Sequence, residues 1–180
     1  MASGSTLYRV AMELCDVDRG VYETLDFRVA QHPSEGEPRL IARMLAYGLL
    51  FEEGLKFSKG LSSSEEPALW THDLTGQLLH WIDVGTPSAD RIHLASKRAE
   101  RVSIVSHLGV EALRRETQRR LIHRAEVVRV LLVDPELVRA LALSLARNSE
   151  WTLVRNEGSL NISLGGQDFS GALRELPLPI

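Results

Sequence analysis

Hydrophobic and polar residues alternate along the first thirty residues of the chain, with one short interruption. Within residues 6–14, Tyr8, Val10 and Met12 share one side and the residues between them share the other, which is the period of a strand. Residues 15–20 contain two Asp and one Gly, a composition typical of a turn. Residues 21–31 alternate again, so the pattern predicts a β-hairpin.

The next segment changes to helical spacing. Residues 32–53 carry apolar side chains three and four positions apart, which predicts a helix with one buried stripe: Leu40, Ile41, Met44, Leu45 and Leu49. Ser34 followed by Glu37 matches a capping box, and Pro38 falls within the first turn, where proline is tolerated. The pattern therefore places the start of the helix at the capping box.

Strand and helix patterns then alternate to the end of the chain. A short strand at 55–58 and a loop at 59–66 come first. Further strands are predicted at 68–71, 78–84, 101–107, 125–133, 151–155, 159–164 and 167–171, and helices at 88–99, 110–124 and 135–147. This order predicts an α/β (α+β) fold with a mixed central sheet flanked by helices, in a single domain of residues 1–180.

Length and composition limit the class of protein. The 180 residues are 44% hydrophobic and 25% charged, which provides a folded core and excludes disorder of the whole chain. No apolar run approaches the ~20 residues that cross a bilayer. The first ten residues lack the apolar segment of a secretory signal, and the single Cys15 excludes an internal disulfide. We therefore expect a soluble cytoplasmic protein without membrane association.

The charges are distributed unevenly. Residues 91–129 contain ten Lys or Arg and four Glu, a net charge of +6, whereas the remaining residues carry eleven basic and twenty acidic side chains, a net −9. The two parts sum to the −3 of the whole chain. Such a division can present a positive surface on one side and carboxylates on another.

Asp83 is unexpected because it comes near the end of an apolar strand pattern, where Asp is uncommon. In one interpretation its side chain caps the following loop by a hydrogen bond to the backbone. In the other, Asp83 binds a divalent cation together with Glu35, near the start of the predicted helix, and a third acid. Oxygen ligands on separate elements suit Mg²⁺ or Mn²⁺, and such sites catalyse phosphodiester hydrolysis.

A set of short motifs resembles the YaeQ family. The set is His32-Pro33-Ser34-Glu35, Gly60-Leu61, Glu66-Pro67, Leu69-Trp70, Trp81-Ile82-Asp83, Gly85, Pro87 and Arg91. Order and spacing match over essentially the whole chain, although each motif alone is unspecific. The resemblance implies a variant of the PD-(D/E)XK nuclease superfamily, a restriction-endonuclease-like fold with extra N- and C-terminal strands. It leaves the activity open.

The same resemblance implies a metal site, with one departure. Glu35 matches the helix carboxylate that often completes the metal shell of the superfamily, and Asp83 matches the acid of its (Asp/Glu)-x-Lys element. The Pro-Asp pair falls on Pro67-Ala68, where the acid is missing. Glu66 or Asp73 can substitute, although neither holds the motif position. The implied ligands of Mg²⁺ or Mn²⁺ are therefore Glu35, Asp83 and Glu66.

The lysine of the motif is also replaced. Its position is Gly85, and some superfamily members recruit this group from the following helix, which here offers Arg91 and Lys97. Lys97 lies ~9 Å farther along a helix than Arg91, so Arg91 is expected beside Asp83. An arginine can stabilise developing phosphate charge but cannot act as a base, because its pKa exceeds ~12. A catalytic set of Glu35, Asp83, Arg91 and Lys97 would then depend on a metal-bound hydroxide.

Residues 114–124 contain the densest arginine cluster in the chain. On a helical wheel Arg115, Arg119 and Arg120 share a broad face with His123. This face is either an ordinary solvated helix surface or a surface that contacts the phosphates of a nucleic acid. The absence of aromatic residues in this segment argues against stacking on single strands.

Two functions follow from these observations. The first is a weak Mg²⁺- or Mn²⁺-dependent phosphodiesterase that acts on nucleic acid. The alternative is a non-catalytic nucleic-acid-binding or regulatory protein that retains the scaffold, which the changes at Ala68 and Gly85 favour. The absence of a G-x-S-x-G motif argues against a hydrolase triad.

Overall fold

The structure, a computed structural model, describes residues 4–59 and 65–180. Most of the predicted loop at 59–66, and the Gly60-Leu61 pair quoted above, lie outside the described residues. The described residues form a mixed α+β fold with mixed sheets and four α-helices. They divide into two compact units. Whether these act as the predicted single domain stays a prediction.

The first unit comprises Met1–Leu49 and Val133–Leu173. Its strands are β1 (Thr6–Asp16), β2 (Val21–Gln31), β8 (Asn148–Asn156), β9 (Ser159–Leu164) and β10 (Gln167–Pro177, up to Leu173 in this unit), and its helices are α1 (Glu37–Leu49) and α4 (Pro135–Leu143). The pair β1–β8 is parallel, and the pairs β2–β1, β8–β9 and β9–β10 are antiparallel. The predicted hairpin is confirmed, with Thr6 opposite Gln31 and Asp16 opposite Val21.

Alternation along the strands builds the core of this unit. Every second residue is buried from Val10 to Asp16 in β1 and from Leu25 to Val29 in β2, and the residues between them are exposed apart from the half-buried Cys15. The stripe of α1 is buried as predicted, and α1 contacts both β1 and α4. One face of the sheet is therefore covered by helices, because only that face carries the apolar side chains.

The second unit comprises Leu50–Leu132 and Arg174–Ile180. Its strands are β3 (Lys56–Phe57), β4 (Leu69–His72), β5 (Leu78–Val84), β6 (Arg101–Ser106) and β7 (Val128–Val133, up to Leu132 in this unit), and its helices are α2 (Ala89–Arg98) and α3 (Val110–Thr117). The sheet order is β3-β4-β5-β6-β7, antiparallel as far as β5 and parallel beyond it. Its core includes Trp81, Ile92, Ile104, Leu113 and Val130. Ser88 caps α2 as predicted and accepts from the Arg91 amide.

Three predicted helices have wrong boundaries, including α1, which ends at Leu49 rather than at residue 53. Helix α1 begins at Glu37 because Gly36, not Ser34, provides the carbonyl that accepts from the first helical amides. The Ser34 hydroxyl lies 2.6 Å from Nδ1 of His32 instead, so the capping box does not form. Helix α3 ends at Thr117, seven residues early, and α4 ends at Leu143, because β8 already begins at Asn148.

No helix in the described ranges is long and apolar enough to cross a membrane. The position of the protein in the cell stays a prediction.

Candidate functional site

Asp83 lies at the centre of a hydrogen-bonded clamp in the second unit. Its carboxylate is 5% exposed and accepts three hydrogen bonds, at 2.7 Å from the indole nitrogen of Trp81 and at 2.8 Å from both Nε and Nη2 of Arg91. The two guanidinium bonds form a bidentate pair, which is the strongest geometry available to arginine and a carboxylate. Asp83 thus lies near the end of an apolar strand because the buried Trp81 indole and the half-buried Arg91 guanidinium need an acceptor there.

Arg91 extends this clamp to a third segment. Its Nη2 also donates to the Glu66 carbonyl at 2.6 Å, and its guanidinium carbon lies 5.5 Å from the centre of the Trp81 ring. The side chain therefore joins α2, β5 and the segment that leads into β4. Arg91 is the neighbour of Asp83, as helix geometry predicted, whereas Lys97 is exposed and lies farther along α2. Among the described residues, no hydrogen bond or ion pair joins the Lys97 side chain to the clamp.

Glu35 belongs to the first unit and is neutralised in a similar way. Its carboxylate is 1% exposed. It accepts at 2.8 Å and 2.6 Å from the guanidinium of Arg43 and at 2.9 Å from Arg39. Arg43 also donates to the Ala30 carbonyl at 2.7 Å. Glu35 thus joins β2 to α1 through a buried ion pair.

These contacts bear directly on the predicted metal site. Glu35 and Asp83 are each paired with arginine, Asp83 with the Arg91 that helix geometry placed beside it, so neither carboxylate lacks a countercharge. Glu66 contributes its backbone carbonyl to Arg91. Within residues 4–59 and 65–180, no three His, Cys, Asp or Glu side chains are grouped to hold a metal ion. The donor set does not suit Mg²⁺ or Mn²⁺, because binding would first have to break buried ion pairs.

The arginine cluster is exposed, but its geometry differs from the prediction. Arg115, Arg119 and Arg120 are exposed, yet only Arg115 lies on α3, since the helix ends at Thr117. Arg119 pairs with Glu116 at 3.4 Å and Arg120 pairs with Asp90 at 2.5 Å. The prediction that these arginines share one helical face is therefore wrong. The cluster is formed by α3 and the segment that follows it.

A hydrogen-bonded network on β5 and β6 was not predicted from the sequence. Nε2 of His80 lies 2.8 Å from Oγ of Ser103, and its Nδ1 lies 3.1 Å from Oε1 of Glu52. Arg101 and Thr71 also donate to Glu52, each at 2.8 Å. Burial alone would raise the pKa of Glu52, but these hydrogen bonds and the charge of His80 lower it to about 2.

This network has the order serine, histidine, carboxylate that hydrolases use. Ser103, however, is 6% exposed and lies on a strand paired on both sides, by β5 and β7. A nucleophile must reach the substrate, so we interpret the network as a structural one. No local motif could have revealed it, because His80 is 28 residues from Glu52 and 23 from Ser103.

Fold and site together define a class: an α+β protein with mixed sheets whose buried carboxylates are held by arginines rather than left open to solvent. The comparisons with known proteins make this class more specific. The family model described as YaeQ protein matches residues 1–172. The chain belongs to the YaeQ family.

Relatives and solved structures agree with this assignment. The chain is 32% identical to a Salmonella typhi protein and 31% identical to an Escherichia coli (strain K12) protein, both described as uncharacterized protein YaeQ. Each match covers 107 residues, 59% of this chain and 59% of the relative. The crystal structure of the Pseudomonas syringae YaeQ protein has 34% identity and a TM-score of 0.86, covering 96% of both chains. That of the Xanthomonas axonopodis pv. citri protein has 28% identity and a TM-score of 0.88, covering 97% of this chain and 99% of its own.

Proposed function

We propose that this chain is a non-catalytic nucleic-acid-binding protein that uses a restriction-endonuclease-like scaffold. The observation that carries the proposal is the Asp83–Arg91 clamp, in which all three donors are directed at the carboxylate that the superfamily uses for metal. An aspartate with this arrangement acts as a structural acceptor. The order helix, antiparallel strand pair, helix and parallel strand along α1, β4, β5, α2 and β6 supports the scaffold part of the proposal.

The binding part rests on exposed cations in the second unit. Arg115, Arg119, Arg120 and Lys97 are all exposed. Arg120 pairs with the exposed Asp90, and Arg119 pairs at 3.4 Å with the half-buried Glu116. Pairs whose arginine is exposed to solvent contribute ~0–1 kcal/mol, so a phosphate can displace them at little cost. Four cations that neutralise four phosphates release counterions, which favours binding at low salt.

The first experiment measures duplex DNA binding as a function of salt. Four phosphate contacts give a log–log slope of roughly −3 to −4, and Arg119→Ala should reduce its magnitude by about one. Arg139→Ala is the matched control, because Arg139 is exposed and paired with Glu136 three residues away in α4. A slope that is flat, or equally reduced by both substitutions, would reject the proposed surface.

A gain of affinity offers a second test. Asp90→Asn removes the carboxylate that holds Arg120 and should tighten DNA binding, since Arg120 is then released for phosphate. Asp26→Asn is the control, because Asp26 forms a comparable exposed pair with Arg9 at 2.6 Å in the first unit. Equal affinity of Asp90→Asn and wild type would contradict the assignment of Arg120.

A cleavage assay with Mn²⁺ tests whether the protein is non-catalytic. Plasmid and single-stranded DNA and RNA should stay intact over hours with the purified protein. Metal-dependent cleavage that Asp83→Asn abolishes would overturn the non-catalytic proposal. It would favour the phosphodiesterase predicted from the sequence, with Arg91 as its phosphate-stabilising group.

A further inference from the structure

Residues 118–124, which we call the cationic loop, are held against α2 at several points. His93 Nδ1 lies 3.2 Å from the Leu121 carbonyl oxygen and 3.3 Å from the His123 amide nitrogen. A protonated Nδ1 donates to the carbonyl, and an unprotonated one accepts from the amide, so either form of His93 bonds to the loop. Arg120 bonds to Asp90 of α2 as well. The loop is therefore attached to a rigid element.

The loop also adopts a costly conformation. Ile122 is buried in the core, and Arg124 has a φ of 48°, which is uncommon for a residue other than glycine. The Arg124 guanidinium donates to the Ser96 carbonyl at 3.4 Å. Burial of Ile122 between two exposed neighbours forces the chain to turn here. The consequence is that Leu121 points outward.

Leu121 is an exposed hydrophobic side chain among cations. It is 91% exposed and adjacent in sequence to Arg120, and Arg119, His123 and Arg124 lie within three residues. Burial lowers the pKa of His93, and the charges of Arg120 and Lys97 lower it further, so positive charge is concentrated around this ring. A fixed, positively charged loop that exposes an aliphatic side chain suits a partner that is anionic and offers an apolar cleft.

We propose that Leu121 is an apolar wedge that enters the minor groove of duplex DNA while the arginines around it bind the flanking phosphates. This inference rests on the proposed function and adds the groove, the form of the nucleic acid and the bending of the duplex. Proteins that bind the minor groove insert leucine and similar side chains between base pairs and bend the duplex by about 20–90°.

Charge and size favour DNA over the other anionic surface, a lipid membrane. Membrane-surface segments bury a broad apolar face, whereas the cationic loop exposes one large aliphatic side chain. A single leucine is sufficient between two base pairs, where unstacking costs only a few kcal/mol. Residues 118–124 contain no Phe, Tyr or Trp to stack on single strands.

The experiment compares Leu121→Ala with wild type on a duplex of about 30 base pairs labelled at both ends for energy transfer. Wild type should shorten the end-to-end distance and prefer a duplex with central TA steps, because these steps are easily kinked. Leu121→Ala should bind about tenfold more weakly and leave the duplex unbent, with its salt slope unchanged. Leu74→Ala is the matched control, since Leu74 is fully exposed in the turn between β4 and β5.

The outcomes separate this inference from the proposed function. If Leu121→Ala binds and bends DNA like wild type, the wedge is rejected while nucleic-acid binding stands. If wild type binds the duplex without bending it, the wedge is again rejected. If wild type binds no duplex, both proposals fail. Binding to anionic phosphatidylserine vesicles that requires Leu121, without DNA binding, would assign the loop to a membrane surface and overturn the wedge.

Discussion

Replacing Glu35 by glutamine distinguishes a structural ion pair from a metal ligand. The substitution keeps the size of the side chain but removes the charge that faces Arg43. Arg43 is 5% exposed, and both of its bonds to Glu35 are shorter than 3 Å. Arg43 also donates to the Ala30 carbonyl, which bears no full charge. The variant therefore keeps a positive charge in a buried position without its countercharge.

The magnitude follows from this geometry. Removing one partner of a buried ion pair costs about 3–5 kcal/mol, because the remaining charge is desolvated and uncompensated. This is a large share of the 5–15 kcal/mol that stabilises a typical domain. At about 2–4 °C per kcal/mol for a chain of this size, we expect the melting temperature to fall by about 6–20 °C. Arg43→Met should cost a similar amount, and the double variant should recover part of the loss.

Urea denaturation followed by tryptophan fluorescence measures the effect. Glu37→Gln is the matched control, because Glu37 is exposed at the first residue of α1 and should contribute less than about 1 kcal/mol. Equal losses for Glu35→Gln and Glu37→Gln would refute the reasoning, as would a double variant whose loss is the simple sum. A melting temperature of wild type that rises with Mn²⁺, but not in Glu35→Gln, would instead identify a metal ligand.

Three further predictions concern stability. Asp83→Asn removes the countercharge of Arg91 and should lower the free energy of unfolding, measured by urea denaturation, by about 1–3 kcal/mol. An unchanged urea midpoint would contradict a stabilising role of the Asp83–Arg91 clamp. The pKa of Glu52 falls from 4.5 unfolded to about 2 folded, so its contribution of about 1–2 kcal/mol is present above pH 4.5 and lost as the pH falls towards 2. Wild type and Glu52→Gln should therefore differ at pH 6 and converge near pH 2, and a constant difference would reject this linkage. Gly171→Ala places a Cβ 2.9 Å from that of Leu137 and should lower the free energy of unfolding by about 1–3 kcal/mol. An unchanged free energy of unfolding would show that α4 moves to accommodate the methyl group.

Local sequence patterns predicted most elements of the fold. Strands β2, β5 and β9 have the predicted bounds, because a period of two with one buried face is a property of adjacent residues. The wrong boundaries are those set by distant groups. Helix α3 ends where the Thr117 hydroxyl bonds to the Pro179 carbonyl, 62 residues away, and where His93 holds the following loop. Neither contact leaves a signal in the sequence around residue 117.

The sequence by itself determined the family, the order of strands and helices, and the identity of the unusual charged residues. Only the tertiary structure decided what each charge does. Helix geometry placed Arg91 near Asp83, but only the structure showed that Arg91 and Arg43 lie within 3 Å of Asp83 and Glu35, respectively. The energy between two charges depends on their separation and on the solvent around them, and both are set by contacts between residues far apart in the chain. The sequence therefore shows where the carboxylates are, and the fold determines which charged group each of them contacts.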